Sequence, residues 1–330
     1  MTAPAALLDA ARSGDASAFE QLVAPHRDEL LAYCYRMLGS LHDAEDVVQD
    51  SLVRAWRSVG NLDERGFLRA WLYKIATNRC LTALANRGKR ELPFDVTPGA
   101  PTAEVSWLEP YPDAARGAVE PEVRYLSRES IEIAFVAALQ HLNGRQRAAL
   151  ILREVLGFSA AEVAGQMDTS TTAVNSALQR ARAAIALAGP TQQAVLRDLG
   201  DAKVRDIAAR WADAWQAGDV DTIVAMLTED ARYSMPPLPE WYRGAAEIRH
   251  FLVTGPLRRR WRFVPAAANG QIAFGTYMRD EAAGGYVPGG LDVLTLRVGA
   301  GRNGAVAEIT AFLDADFPRF GLPRSLPDNP

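Results

Sequence analysis

Six prolines, Pro93, Pro98, Pro101, Pro110, Pro112 and Pro121, fall within positions 91–128 and forbid a continuous helix or central strand there. Asp95, Glu104, Glu109, Asp113 and Glu120 are interleaved with them, so the segment reads as an extended acidic linker. The cores must lie on either side of it. Gly189-Pro190 closes a later helical pattern, and after about Leu252 the periodicity changes from helical spacing to short β-prone runs. At 330 residues and 48% hydrophobic, the chain can support two or three separate cores. The expected parts are 1–90, 91–128, 129–190 and 200–330.

The first part is helical. Within 43–58, Ala44, Val47, Val48, Leu52, Ala55 and Trp56 recur as an apolar stripe, with acids toward the start and arginines toward the end, as the helix dipole favours. Between Phe67 and Arg90 the charged residues are Arg69, Lys74, Arg79, Arg87, Lys89 and Arg90, with no acid among them. The whole chain carries a net charge of −4, with a pI near 5.7. A basic stripe inside an acidic chain suits a protein that meets nucleic acid only within a larger assembly, since phosphate neutralisation supplies most of the affinity.

Beyond the linker, Ser159 and Glu162 stand at capping-box spacing, Asp168-Thr-Ser makes a short turn, and a second helical stripe follows through Val174, Ala177, Leu178, Ala181 and Ile185. Thr172, Asn175, Ser176, Gln179 and Arg182 form a separate polar stripe at the same period. That is helix-turn-helix syntax, with a recognition helix able to enter a major groove. Near the C-terminus, Asn269-Gly270 and Asn303-Gly304 each sit between β-prone runs, the strongest short hairpin signal. Two helical patterns precede them, which makes the last part α+β.

The wording at 43–58, with Phe19-Glu-Gln-Leu-Val, Tyr33-Cys-Tyr-Arg-Met-Leu-Gly and Phe67-Leu-Arg-Ala-Trp-Leu-Tyr-Lys-Ile-Ala-Thr-Asn-Arg, resembles region 2 of the extracytoplasmic-function sigma factors. Those are bacterial promoter-specificity subunits of RNA polymerase. Leu142-Asn-Gly-Arg-Gln-Arg and the helix-turn-helix resemble region 4, and Trp215-Gln-Ala-Gly-Asp-Val-Asp with Met235-Pro-Pro-Leu-Pro-Glu-Trp-Tyr-Arg-Gly resembles the SnoaL-like domain. The resemblance implies an all-α region 2, an all-α region 4 and an α+β SnoaL-like cone with a curved antiparallel sheet.

It also implies residue roles. Asp46, Gln49, Asp50 and Arg54 would contact core RNA polymerase, while Arg69, Trp71, Lys74, Asn78 and Arg79 would meet the single-stranded −10 element. Asn78 offers a donor and an acceptor to a base edge. On the duplex −35 element, Ser170, Thr171 and Arg180 suit phosphate, and Thr172, Asn175, Ser176, Gln179 and Arg182 suit base edges. Trp107, Leu108, Glu109, Pro110, Tyr111 and Pro112 resemble the linker signature of sigma factors that carry an extra C-terminal domain.

Trp211, Trp215, Tyr233, Met235, Trp241 and Tyr277 are candidates to line a pocket for a small-molecule ligand, with Asp213 and Asp292 as the acids an isomerase would need. Neither acid sits in a diagnostic motif, so no enzyme is expected. Two other readings stand beside the sigma factor: a bifunctional enzyme acting on a small molecule in that pocket, and a stand-alone helix-turn-helix regulator. Cys34 and Cys80 lack Cys-x-x-Cys spacing and the four histidines are scattered, so neither metal nor cofactor is expected. No apolar run has the length of a membrane span, and the start of the chain lacks a basic signal region, so a cytoplasmic protein without membrane contact is expected.

Overall fold

The computed structural model describes residues 3–62, 68–87, 90–93, 106–113, 131–185, 191–298 and 304–328. The chain divides into two compact units, one made of 1–90, 115–130 and 134–188, the other of 91–114, 131–133 and 189–330. Both helical segments therefore share one unit, and part of the acidic linker belongs with the C-terminal one. No helix among the described residues is long and apolar enough to cross a membrane.

The first unit begins with α1 (Ala3–Arg12), α2 (Ala16–Val23), α3 (Arg27–Leu38), α4 (Leu41–Ser58) and α5 (Leu68–Arg87). Gly39, at φ 70°, ends α3, and Ser40 then caps α4 by accepting from the Asp43 amide at 3.1 Å. Leu30, Tyr33, Met37, Ala44, Leu52, Leu72 and Ala76 are buried, and Tyr33 shares a 2.7 Å hydrogen bond with Thr77 across α3 and α5. Cys34 and Cys80 are buried free thiols, and burial pushes the Cys34 thiol well up.

The same unit continues through α6 (Ile133–Gln140), α7 (Gly144–Leu150) with a π-helical turn over Ile151–Val155, α8 (Ala160–Gln166) and α9 (Thr171–Ile185). The expected capping box is formed: the Ser159 amide donates to Glu162 at 2.7 Å, and the Glu162 amide to Ser159 Oγ at 3.2 Å. Those bonds hold the Glu162 carboxyl below its ordinary range. Asp168 makes the turn before α9 with φ 47°. Helix α7 packs tightly on α5, since a Cβ at Gly144 would stand 3.0 Å from Leu81.

The second unit is built on a sheet of order β2-β1-β6-β5-β4-β3, with β7 (Leu326–Pro327) paired to β5. Its strands are β1 (Leu227–Ser234), β2 (Trp241–Arg243), β3 (Trp261–Ala268), β4 (Gln271–Asp280), β5 (Gly285–Val298) and β6 (Gly304–Phe312). The sheet is mixed, which corrects the antiparallel expectation: β1 pairs parallel with β6 because the chain leaves through β2 and returns through the β3–β6 meander. Strand structure also starts before Leu252, as β1 and β2 precede the helix Gly244–Thr254. Asn269 and Gly270 take φ of 52° and 67° and make the β3–β4 hairpin turn as their sequence requires. The Asn303-Gly304 turn falls at positions 299–303, outside the described residues.

Candidate polymerase and nucleic-acid interfaces

Helix α4 presents Asp46, Gln49 and Arg54 to solvent, while Asp50 is half-buried and paired to Arg54 at 3.2 Å and to Arg79 at 2.5 Å. Asp50 and Arg79 are thus tied to each other, not left free for separate partners. Beside them opens a groove of about 680 Å³ lined by Phe19, Leu31, Val48, Leu52, Val53 and Trp56, with Glu20, Asp28, Glu45 and Gln49 among its polar walls. The Phe19 and Trp56 rings meet within it at 5.2 Å, tilted by 58°. Val53 is 40% exposed, so this apolar surface is open to a partner.

On α9 the two stripes separate as expected. Val174, Ala177, Leu178 and Ala181 are buried, whereas Thr171, Thr172, Asn175, Gln179, Arg180 and Arg182 are exposed and Ser176 is half-exposed. Ser170 is already engaged, its hydroxyl capping the Ala173 amide at 3.2 Å. Arg182 pairs with Glu154 at 2.5 Å.

Helix α5 carries the other set. Asn78 is exposed, Trp71 half-buried, and the basic residues are occupied within the unit. Lys74 pairs with Asp168 of the α8–α9 turn at 2.6 Å. Arg69 grips Glu29 through two hydrogen bonds of 2.6 and 3.1 Å, reaches the Leu156 carbonyl at 3.4 Å, and places its guanidinium 4.5 Å from the centre of the Phe158 ring. Phe158 also meets Tyr73 edge-on at 5.3 Å. Sequence reasoning missed Phe158, Asp168, Glu29 and Tyr73, because their roles depend on contacts between residues up to 94 positions apart. Arg147 was missed likewise. It is buried, donates to the carbonyls of Met37, Gln140 and Leu142 and to the Gln140 side chain, and burial lowers its pKa to about 10.

In the second unit the Trp107–Pro112 stretch is packed, not solvated. Leu108, Pro110, Tyr111 and Pro112 are buried, Trp107 and Glu109 are half-buried, and Glu91 pairs with Trp107 as an isolated bridge. Asn269 at the hairpin tip holds this stretch. Its amide donates to the Tyr111 carbonyl at 2.9 Å, its Oδ1 accepts from the Tyr111 amide at 2.8 Å, and its Nδ2 donates to the Ile131 carbonyl at 2.7 Å. Gln271 accepts from the Ile133 amide at 2.9 Å, and buried Glu132 accepts from the Gln192 and Gln193 amides at 2.7 Å each.

Of the expected pocket residues, Trp211, Trp215, Tyr233 and Met235 share one core, whereas Tyr277 packs on Phe317 and bonds the Pro323 carbonyl, and Trp241 lies on β2 outside that core. Asp213 is exposed on the helix Asp201–Ala217, which removes it as a pocket acid. Asp292 is buried and raised to about 7 by burial alone.

Known proteins match each part. Residues 22–90 match the sigma-70 region 2 family model, 132–185 sigma-70 region 4, and 208–316 the SnoaL-like domain. The chain is 44% identical over 329 residues to the ECF RNA polymerase sigma factor SigG of Mycobacterium tuberculosis, covering 96% of this chain and 86% of the relative. It is 32% identical to the RNA polymerase sigma-H factor of Pseudomonas aeruginosa over 179 residues, 54% of this chain and 90% of the relative. The crystal structure of the Mycobacterium tuberculosis extracytoplasmic function sigma factor SigJ shares the fold, with a TM-score of 0.56 at 22% identity, covering 90% of this chain and 97% of that one.

Proposed function

We propose a division of labour among the parts of this chain, which belongs to the extracytoplasmic-function family of RNA polymerase sigma factors and is a promoter-recognising initiation factor, not an enzyme. Residues 1–90 act as region 2, 129–190 as region 4, and 200–330 as a regulatory SnoaL-like domain joined through the linker 91–128. The exposed edge of α4 and the adjoining apolar groove dock on core polymerase, through Asp46, Gln49 and Arg54, with Asp50 bracing them from within. Helix α9 reads the −35 duplex through Thr172, Asn175, Ser176, Gln179 and Arg182, with Ser170, Thr171 and Arg180 toward phosphate. Helix α5 takes the −10 strand through Asn78, with Arg69, Trp71, Lys74 and Arg79 beside it. The protein works in the cytoplasm, where its polymerase is.

The observation that carries this reading is the clean separation on α9, where the apolar stripe is buried and the polar stripe faces outward. Run-off transcription with purified core polymerase tests it. Promoter-dependent transcripts are expected, and their absence with every promoter in a genomic library would overturn it.

The linker contact supports a regulatory role for the SnoaL-like domain. Asn269 holds Tyr111 and Ile131 at once, so both ends of the 112–130 stretch are fastened to one hairpin tip. A sigma factor must extend that stretch to place two DNA-reading modules on separate promoter elements. Releasing or keeping the clasp therefore sets how far the linker can reach.

A further inference from the structure

From Ile248 to Arg279 the sequence holds six arginines and no aspartate or glutamate, in a chain whose acids outnumber its lysines and arginines by 40 to 36. Three of the six are already engaged. Arg249 pairs with Asp221 at 2.6 Å, Arg279 pairs with Asp328 at 2.7 Å, and Arg262 donates to the Pro327 and Asp328 carbonyls while lying 4.6 Å from the centre of the Tyr286 ring. Arg258, Arg259 and Arg260 are exposed, and none of them pairs with an acid among the described residues.

The fold holds these three side chains out on a short, fastened ridge. The helix Gly244–Thr254 ends at Gly255, a 3-10 turn over Pro256–Arg258 follows, and β3 begins at Trp261 on the edge of the sheet. Leu257 packs on the domain core, while the Trp261 indole meets Trp215 edge-on at 6.1 Å and donates to the Pro256 carbonyl at 2.8 Å. The Arg260 carbonyl accepts from the Arg279 amide at 2.9 Å. Apolar anchors on both sides turn inward, and the three guanidinium groups stay outside. Like charges kept side by side repel one another, and a bound anion relieves that repulsion.

We propose that Arg258, Arg259 and Arg260 form a phosphate-binding ridge by which the SnoaL-like domain holds duplex DNA through its backbone, without reading bases. The planar fork of donors on each guanidinium matches a phosphate. A protein partner would call for an apolar centre to the patch, but Leu257 and Trp261 are committed to the core, so the ridge offers charge alone and favours a polyanion. The chain is a promoter-recognising factor, so the ridge acts on DNA that the protein already engages. The contact gives the domain a hold on DNA that is independent of the linker and that salt weakens.

The proposal rests on this chain working at promoters, which run-off transcription by the unaltered protein tests separately. Its own test needs no promoter: the free full-length protein is titrated onto a fluorescein-labelled duplex of about 30 base pairs and randomised sequence, read by anisotropy at roughly 20 to 200 mM salt. Arg258→Gln, Arg259→Gln and Arg260→Gln together should weaken binding about tenfold at the low-salt end and make the slope of log affinity against log salt shallower by about 2 to 3, at roughly 0.9 per phosphate neutralised. Arg258→Lys, Arg259→Lys and Arg260→Lys together keep the charges and should retain most of that slope. Arg205→Gln, Arg210→Gln and Arg243→Gln remove the same charge from exposed positions on the helix Asp201–Ala217 and on β2 at the opposite edge of the sheet, and should leave the slope nearly unchanged. The proposal is overturned if the glutamine variant of the ridge keeps the parental slope, or if the control variant loses as much. It is equally overturned if the ridge variant loses affinity for core polymerase in the absence of DNA while duplex binding is unaffected, which would make the partner an acidic protein surface.

Discussion

Asn78 and Asp292 show how differently one side chain can be used. Asn78 is exposed on α5, and no described residue holds its amide group, so its removal should cost the fold little. Asn78→Ala is expected to impair open-complex formation, read by permanganate footprinting on a cognate promoter, while polymerase binding and thermal stability persist. Normal melting by the variant would remove Asn78 from the base pocket. Asp292 is the opposite case: burial raises its carboxyl from 3.8 to about 7, so the folded chain binds a proton that the unfolded chain has released. Its neutral form favours folding fully below about pH 4, and that advantage is lost as pH rises through 7. Over that window the loss approaches about 4 kcal/mol, three pKa units at about 1.4 kcal/mol each. Urea unfolding followed by tryptophan fluorescence should show Asp292→Asn gaining stability over the parent at pH 8 but not at pH 4. Equal differences at both pH values would mean the carboxyl is solvated or paired.

At the scale of elements, local signals were legible and long-range ones were not. The Ser159–Glu162 box, the Asp168 turn, the two stripes of α9 and the Asn269-Gly270 hairpin all follow from residues close in sequence, where capping, left-handed turns and helical period act. The pairing of Lys74 with Asp168, the seat of Phe158 against Arg69, and the parallel β1–β6 pair depend on closure of long loops, which no local pattern encodes. The Trp107–Pro112 stretch was set apart in the acidic linker by its two aromatics, and Leu108, Pro110 and Tyr111 are buried there, but the Asn269 side chain that holds Tyr111 lies 158 positions away and could not be read from local pattern. For α9, Gln179→Ala should relax sequence preference at one or two −35 positions, each bidentate contact being worth about 1–3 kcal/mol. Lys74→Ala should instead weaken binding across all sequences and lower the salt slope by about one. A promoter-variant library scores both. Unchanged −35 preference for Gln179→Ala and Arg182→Ala alike would displace α9 as the reading helix.

At the level of the whole molecule, the proposed regulation rests on two features, the packed helical unit and the Asn269 clasp on the linker. The clasp predicts a coupling. Asn269→Ala, which removes both side-chain bonds to Tyr111 and Ile131, and Trp107→Ala, which loosens the same linker stretch, should change promoter-dependent transcription in one direction. Combining them should add little, since they act on one contact. Strictly additive effects in that cycle would show that the domain acts elsewhere.

Regions 2 and 4 pack on each other in the first unit, and reading two separate promoter elements requires them to part. Cys34 and Cys80 are buried, so dyes can be directed to Arg57→Cys on α4 and Ala161→Cys on α8, both exposed positions. Single-molecule energy transfer between these sites should be high in the free protein and fall to the level of a separation of several tens of ångströms in the polymerase–promoter complex, where the elements stand about 85 Å apart. Transfer that is already low in the free protein, or that stays high on the promoter, would show that the two regions do not separate on promoter engagement.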